Sequence, residues 1–150
     1  MSATQTTAPV RPARRTALLA LARTAEPHTA LRRFLALDAV VTGVNGLAYL
    51  AASGPLGRLL GVGSATLLGL GAFLTVYAAG VGLLAARVRP AALPVRVVIE
   101  GNAAWAVLSC VALALWLSPT AVGGAWTVAQ AFVVAGFAAL QQAALRARQN

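Results

Sequence analysis

The sequence predicts an all-α polytopic membrane protein, a four-transmembrane-helix bundle with both termini cytoplasmic. Three observations predict it. The first is composition: 59% of the 150 residues are hydrophobic and 10% are charged, with a mean hydropathy of +0.79. A soluble domain carries about 25% charged residues, and a soluble fold this apolar would lack polar side chains to cover its surface. Lipid removes that problem, because apolar side chains can then face outward. The second is segmentation, since prolines, glycines and arginines divide the chain into four apolar stretches of spanning length. The third is the alternation of arginine between their connections.

Residues 1–30 hold Pro9, Arg11, Pro12, Arg14 and Arg15 with little periodicity. They are expected to be a disordered basic tail. Arg14-Arg15 ahead of Thr16–Ala22 resembles a twin-arginine export signal in outline. The apolar run is about seven residues long before Arg23, at the bottom of the range for a signal core, and no cleavage site follows. A basic tail lying on anionic lipid is the expectation.

The membrane domain is expected over residues 31–145. Its first span covers about 34–52, preceded by Arg32 and Arg33 and ended by Ser53, Gly54 and Pro55. At about 1.5 Å per residue, some 20 residues cross a hydrocarbon layer of about 30 Å. The second span covers about 64–86 and is stopped by Arg87, Arg89 and Pro90. Pro94 opens the third span, about 94–117, because proline is tolerated in a first helical turn. No charge occurs from Gly101 to Leu145, which is too long for one crossing and sufficient for two. Ser118, Pro119, Gly123 and Gly124 mark the turn, and the fourth span covers about 121–143. A short basic C-terminal tail, 146–150, follows.

All twelve basic residues are arginine. The N-terminal segment, three connections and C-terminal segment carry six, one, three, none and two of them. The positive-inside rule then places both termini and the second connection in the cytoplasm. Four spans give this alternation; three or five do not. The expected location is the bacterial plasma membrane, and abundant Ala, Arg, Gly and Val without Lys fit a GC-rich genome.

The net charge of +9 does not indicate nucleic acid. Nucleic-acid modules cluster base on one soluble face with interleaved aromatics, whereas these arginines sit at the edges of apolar segments. The single cysteine, Cys110, allows no disulfide framework and no Cys-based metal site; it reads as a small hydrophobe. The single histidine, His28, has no ligand set around it in sequence. There is no Gly-rich phosphate loop with Lys, no H-E-x-x-H and no G-x-S-x-G. The chain is therefore expected not to be an enzyme, with no cofactor, metal or catalytic residue. The expected partners are the lipid bilayer and a second copy or another membrane protein.

Lipid offers little hydrophobic drive for helix association, so small residues must let backbones approach. Ala39-x-x-x-Gly43, Thr42-x-x-x-Gly46, Ala65-x-x-x-Gly69 and Ala78-x-x-x-Gly82 supply such spacings, as do Ala131, Ala135 and Ala139. They favour a tight bundle without choosing which helices touch. Trp116 and Trp126 fall near the outer ends of spans three and four, where an aromatic belt is expected.

An intramembrane polar cluster is expected from Asp38, Asn45, Arg96, Glu100 and Asn102, with Gln130 a further polar residue in the fourth span. Ionisable groups at membrane depth cost about 2.5–3.5 kcal/mol at the centre and face the protein interior. Asp38, Thr42, Asn45 and Tyr49 form one stripe at helical spacing, and Asn102, Trp105 and Ser109 another. Arg96 and Glu100 are an i, i+4 pair. Asp38 and Glu100 both fall roughly 6–9 Å inside the cytoplasmic end, so the two acids can share a layer within reach of Arg32, Arg33 and Arg96. One reading is a proton or cation site of a small transporter or channel subunit. The preferred reading is a structural charge cluster that holds helix register, with snorkelling arginines reducing its cost.

The stretch L-D-A-V-V-T-G-V-N-G-L-A-Y-L, residues 37–50, resembles the first helix of a group of small four-helix membrane proteins of GC-rich bacteria. N-A-A-W-A-V-L-S, residues 102–109, is similar to their third helix. The resemblance covers about residues 31–145, implies the four-helix fold and brings no activity. Small multidrug-resistance exporters also have four helices and an acid in the first. They place a glutamate near mid-membrane and have a very short N-terminus, whereas this chain has Asp38 one turn deep and a long arginine-rich tail.

Overall fold

The computed structural model describes residues 27–115 and 118–148. They form four helices: α1 (Pro27–Leu60), α2 (Ser64–Ala86), α3 (Ala92–Leu115) and α4 (Ala121–Ala147). No strand occurs among the described residues. Each helix is long and apolar enough to cross a membrane. Apart from the end turns, a helix pairs its backbone groups internally, which a bilayer demands of any segment that crosses it.

α2 has the bounds read from sequence; α3 begins two residues before Pro94, its expected last residues, 116–117, lying outside the described residues, and α4 begins as expected and runs four residues further. α4 runs through Arg146 and Ala147, which sequence placed in a tail. α1 is longer at both ends than the 34–52 expected. At its start, Pro27 lacks only an N–H that the first turn would leave unpaired in any case. The next turns bring Leu31 and Leu35 into the core, both fully buried. The expected tail therefore lies outside the described residues except for 27–30, which belong to α1. At the other end α1 does not stop at Pro55 but kinks. Ala52 leaves the helical region (φ −131°, ψ 30°) and the chain resumes as a helical segment, 53–60. Pro55 explains the kink: it has no N–H for the carbonyl four residues back, and its ring crowds that carbonyl.

The α1 terminus is a Schellman motif. Gly61 takes φ +71°, and the Val62 amide donates to the Gly57 carbonyl at 3.0 Å. The same turn docks on the start of α4. The Thr120 amide donates to the Leu60 carbonyl at 3.2 Å, and its hydroxyl to the Leu59 carbonyl at 2.6 Å. Thr120 also caps α4 by accepting from the Gly123 amide at 3.1 Å.

α1 lies between α2 and α4; α3 packs on α4 and barely touches α2. The α1–α2 contact is the most extensive, and small residues make it. A Cβ on Gly46 would sit 2.8 Å from Thr75 Oγ1 and 2.9 Å from the Thr75 nitrogen. Gly43 meets Ala78 and Gly82 meets Ala39. Gly69 faces open space, so Ala65-x-x-x-Gly69 takes no part.

One apolar cluster occupies the arginine-rich end, with Leu31, Leu35, Val81, Val95, Val98 and Leu145 drawn from all four helices. A second, at the opposite end, contains Tyr49, Leu60, Leu67 and Leu74. The outer surface is apolar in turn: Val44, Val76, Leu83, Val107 and Phe132 are all largely exposed. That surface is suited to lipid chains, and exposed Cys110 belongs to it.

Candidate functional site

The interior holds two polar groups with an apolar cavity between them. The first is centred on Asp38, fully buried on α1. Its Oδ2 accepts from Asn102 Nδ2 of α3 at 2.7 Å and from Gln141 Nε2 of α4 at 2.8 Å. Its Oδ1 accepts from Thr42 Oγ1 at 3.2 Å. The Tyr77 hydroxyl of α2 reaches Asn102 Oδ1 at 3.0 Å and the Val98 carbonyl at 3.2 Å. By accepting from Tyr77, Asn102 Oδ1 fixes which end of that amide faces Asp38. Every helix thus contributes a polar side chain to one node, and Asn102 and Gln141, like Asp38, are buried.

The partners of Asp38 are all neutral donors, matching the acceptor-only inventory of a carboxylate. Gln141 Oε1 is buried without a hydrogen-bond partner. It is the one unmatched acceptor in the node.

The structure brings together some of the residues expected to cluster and separates others. Asp38 and Asn102 meet directly. Asn45 lies on the same α1 face, half-buried, but borders the cavity. Arg96 and Glu100 are exposed on α3. The reason is angular: Glu100 and Asn102 are two residues apart, about 200° around a helix, so burying Asn102 turns Glu100 outward. Asp38 and Glu100 do not share a site, and the expected arginine partners of Asp38 are engaged elsewhere or exposed. Arg32 Nε donates to the Ala85 carbonyl at 3.0 Å, at the end of α2 where carbonyls lack helical partners. Arg33 is exposed. Arg148 Nη1 donates to the Pro90 carbonyl at 2.6 Å, tying the end of the described chain to the α2–α3 connection.

Gln141 and Tyr77 are the node residues that sequence reasoning missed. A signal existed for Gln141: with Ala131, Ala138 and Leu145 it forms a buried stripe at heptad-like spacing. Tyr77 had none, because its reach to α3 depends on the phenol's length and on where α3 sits.

The second polar group lies nearer the opposite end. The buried Tyr49 hydroxyl accepts from Trp126 Nε1 at 2.8 Å and from Gln130 Nε2 at 2.7 Å. Trp126 is thus partly a structural donor as well as a surface aromatic; Trp116 lies outside the described residues. Between the two groups is a cavity of about 720 Å³. Its wall on the α2–α3 side is aromatic: Phe73 stacks on Trp105 at 5.6 Å between ring centroids and on Tyr77 at 6.2 Å.

Among the described residues no three His, Cys, Asp or Glu side chains come together as a metal site. No family model, curated protein or solved structure matches the chain.

Proposed function

We propose that this four-helix protein is a multi-pass component of the bacterial plasma membrane, with both termini in the cytoplasm and a structural or accessory, non-enzymatic role. One observation carries the reading: the buried acid is spent on holding helices together. Asp38 is joined by Asn102 and Gln141, and Tyr77 completes the ring from the remaining helix. A proton-coupled transporter or channel subunit using Asp38 and Glu100 would need the two acids in one site. Glu100 instead occupies the exposed side of α3.

The orientation rests on charge. Arg32, Arg33, Arg87, Arg89, Arg146 and Arg148 lie at one end of the bundle, whereas Arg58 follows the kink at the other. Basic residues are retained on the cytoplasmic side.

Two measurements test the proposal. Proton flux into liposomes containing the purified protein is expected to equal that of protein-free liposomes. A flux that Asp38→Asn abolishes would overturn the structural reading. For orientation, single cysteines replace Val62 or Arg89 in a Cys110→Ala background. A membrane-impermeant maleimide should label intact cells at position 62 only; labelling at 89 would reverse the topology.

A further inference from the structure

The cavity between the two polar groups has a floor, a roof and a side opening. The floor is Thr42, Asn102 and Tyr77, the cavity-facing part of the Asp38 node. The roof is the helical segment after the kink, whose Leu56, Leu59 and Leu60 border the space and whose end is pinned to Thr120. The opening is lateral. Val44 of α1 and Val133 of α4 border the cavity and are also 63% and 48% exposed on the apolar outer surface. In a bilayer that apolar side would face the hydrocarbon layer.

The lining selects a chemistry. No charged residue borders the cavity, so a charged guest would lose its hydration without an ionic partner. Its volume, about 720 Å³, lies in the range of small-molecule sites. A surplus hydrogen-bond donor borders it. Tyr49 oxygen accepts from Trp126, which can only donate, and from Gln130. A hydroxyl has two lone pairs and one proton, so the Tyr49 proton remains unspent. Turning the Gln130 amide around does not remove the surplus: Tyr49 would then donate to Gln130, and the Gln130 amide protons would be free. Asn45, bordering the same space, takes no part in either polar group.

We propose that this cavity binds an uncharged lipophile carrying a carbonyl oxygen, taken from the surrounding bilayer through the opening between α1 and α4. The carbonyl accepts from the Tyr49 and Gln130 group, and the apolar body lies against the aromatic wall. The site is independent of the role proposed for Asp38.

Two of the three tryptophans, Trp105 and Trp126, border the cavity, which provides the assay. The full chain carrying Trp116→Phe is purified in dodecylmaltoside and titrated with methyl 9,10-dibromostearate, a contact quencher, expressed as mole fraction in detergent. Quenching should saturate and be reversed by unbrominated methyl stearate. Ala48→Phe or, from the opposite wall, Ala129→Leu should remove the saturable part in whichever variant remains folded. The ester should bind about two- to tenfold more tightly than a dibrominated alkane of equal length, the worth of one hydrogen bond; equal binding of the two would overturn the carbonyl contact. Quenching of the unaltered protein that rises linearly and resists competition would overturn the proposal. Equal saturable binding of the 9,10-dibromostearate anion would overturn the uncharged class.

Discussion

Replacing Asp38 by leucine removes the acceptor around which the four helices meet, and the cost follows from the donors left behind. Asn102 Nδ2 and Gln141 Nε2, now 2.7 and 2.8 Å from Oδ2, lose their partner. Thr42 does not, because a threonine in a helix can turn to the carbonyl four residues back, as Thr75 and Thr127 do here. Interhelical hydrogen bonds in a bilayer average about 0.6 kcal/mol with a maximum near 1.7, so two lost bonds give about 1.2 kcal/mol, rising to about 3.4. The lower end is reached if Asn102 turns to Gln141 Oε1, which has no partner in the present arrangement. Asp38→Asn keeps the shape and one carbonyl oxygen. With that oxygen in the Oδ2 position both amides retain their acceptor, and the new NH2 meets the Thr42 hydroxyl as its acceptor. Its cost should stay below about 0.6 kcal/mol. SDS titration of the purified protein, followed by circular dichroism, measures both variants. A leucine variant as stable as the wild type would refute the node. An asparagine variant as unstable as leucine would mean that the charge, not the hydrogen bonds, holds the helices.

The other predictions concern contacts equally local. Gly46→Ala should destabilise by about 1–3 kcal/mol, because the methyl meets the Thr75 backbone nitrogen at 2.9 Å as well as its hydroxyl; Gly69→Ala, which meets nothing within 4 Å, should be neutral or gain up to about 1 kcal/mol in helix propensity. Both are read by the same SDS titration. Gly123→Ala places a methyl on the Leu60 carbonyl, so it should detach the 53–60 segment and speed hydrogen exchange at the Thr120 amide. Tyr77→Phe should cost about 0.6–1.7 kcal/mol, and markedly less in an Asp38→Leu background, because the phenol acts through Asn102; equal costs in the two backgrounds would uncouple Tyr77 from Asp38.

Much of this protein is determined by its sequence alone. Four helices, their order and α2 to the residue follow from apolar length and from breakers, because a bilayer admits few alternatives to a helix of about 20 residues. The inward stripe Asp38, Thr42, Asn45, Tyr49 follows from helical periodicity, and all four do face the interior. What periodicity along one helix cannot supply is the rotation of each helix against its neighbours. That rotation put Asn102 rather than Glu100 beside Asp38, because the two lie on opposite sides of α3. It also brought Gln141 from four residues short of Leu145 into the centre of the node. The kink is a similar case: Pro55 was legible as a break, but whether the chain turned into a loop or resumed as the helical segment over the cavity depended on α4 being there to receive it. The carbonyls of Leu59 and Leu60 find Thr120 only in the assembled bundle, since contacts between helices far apart in sequence exist only once all four have packed.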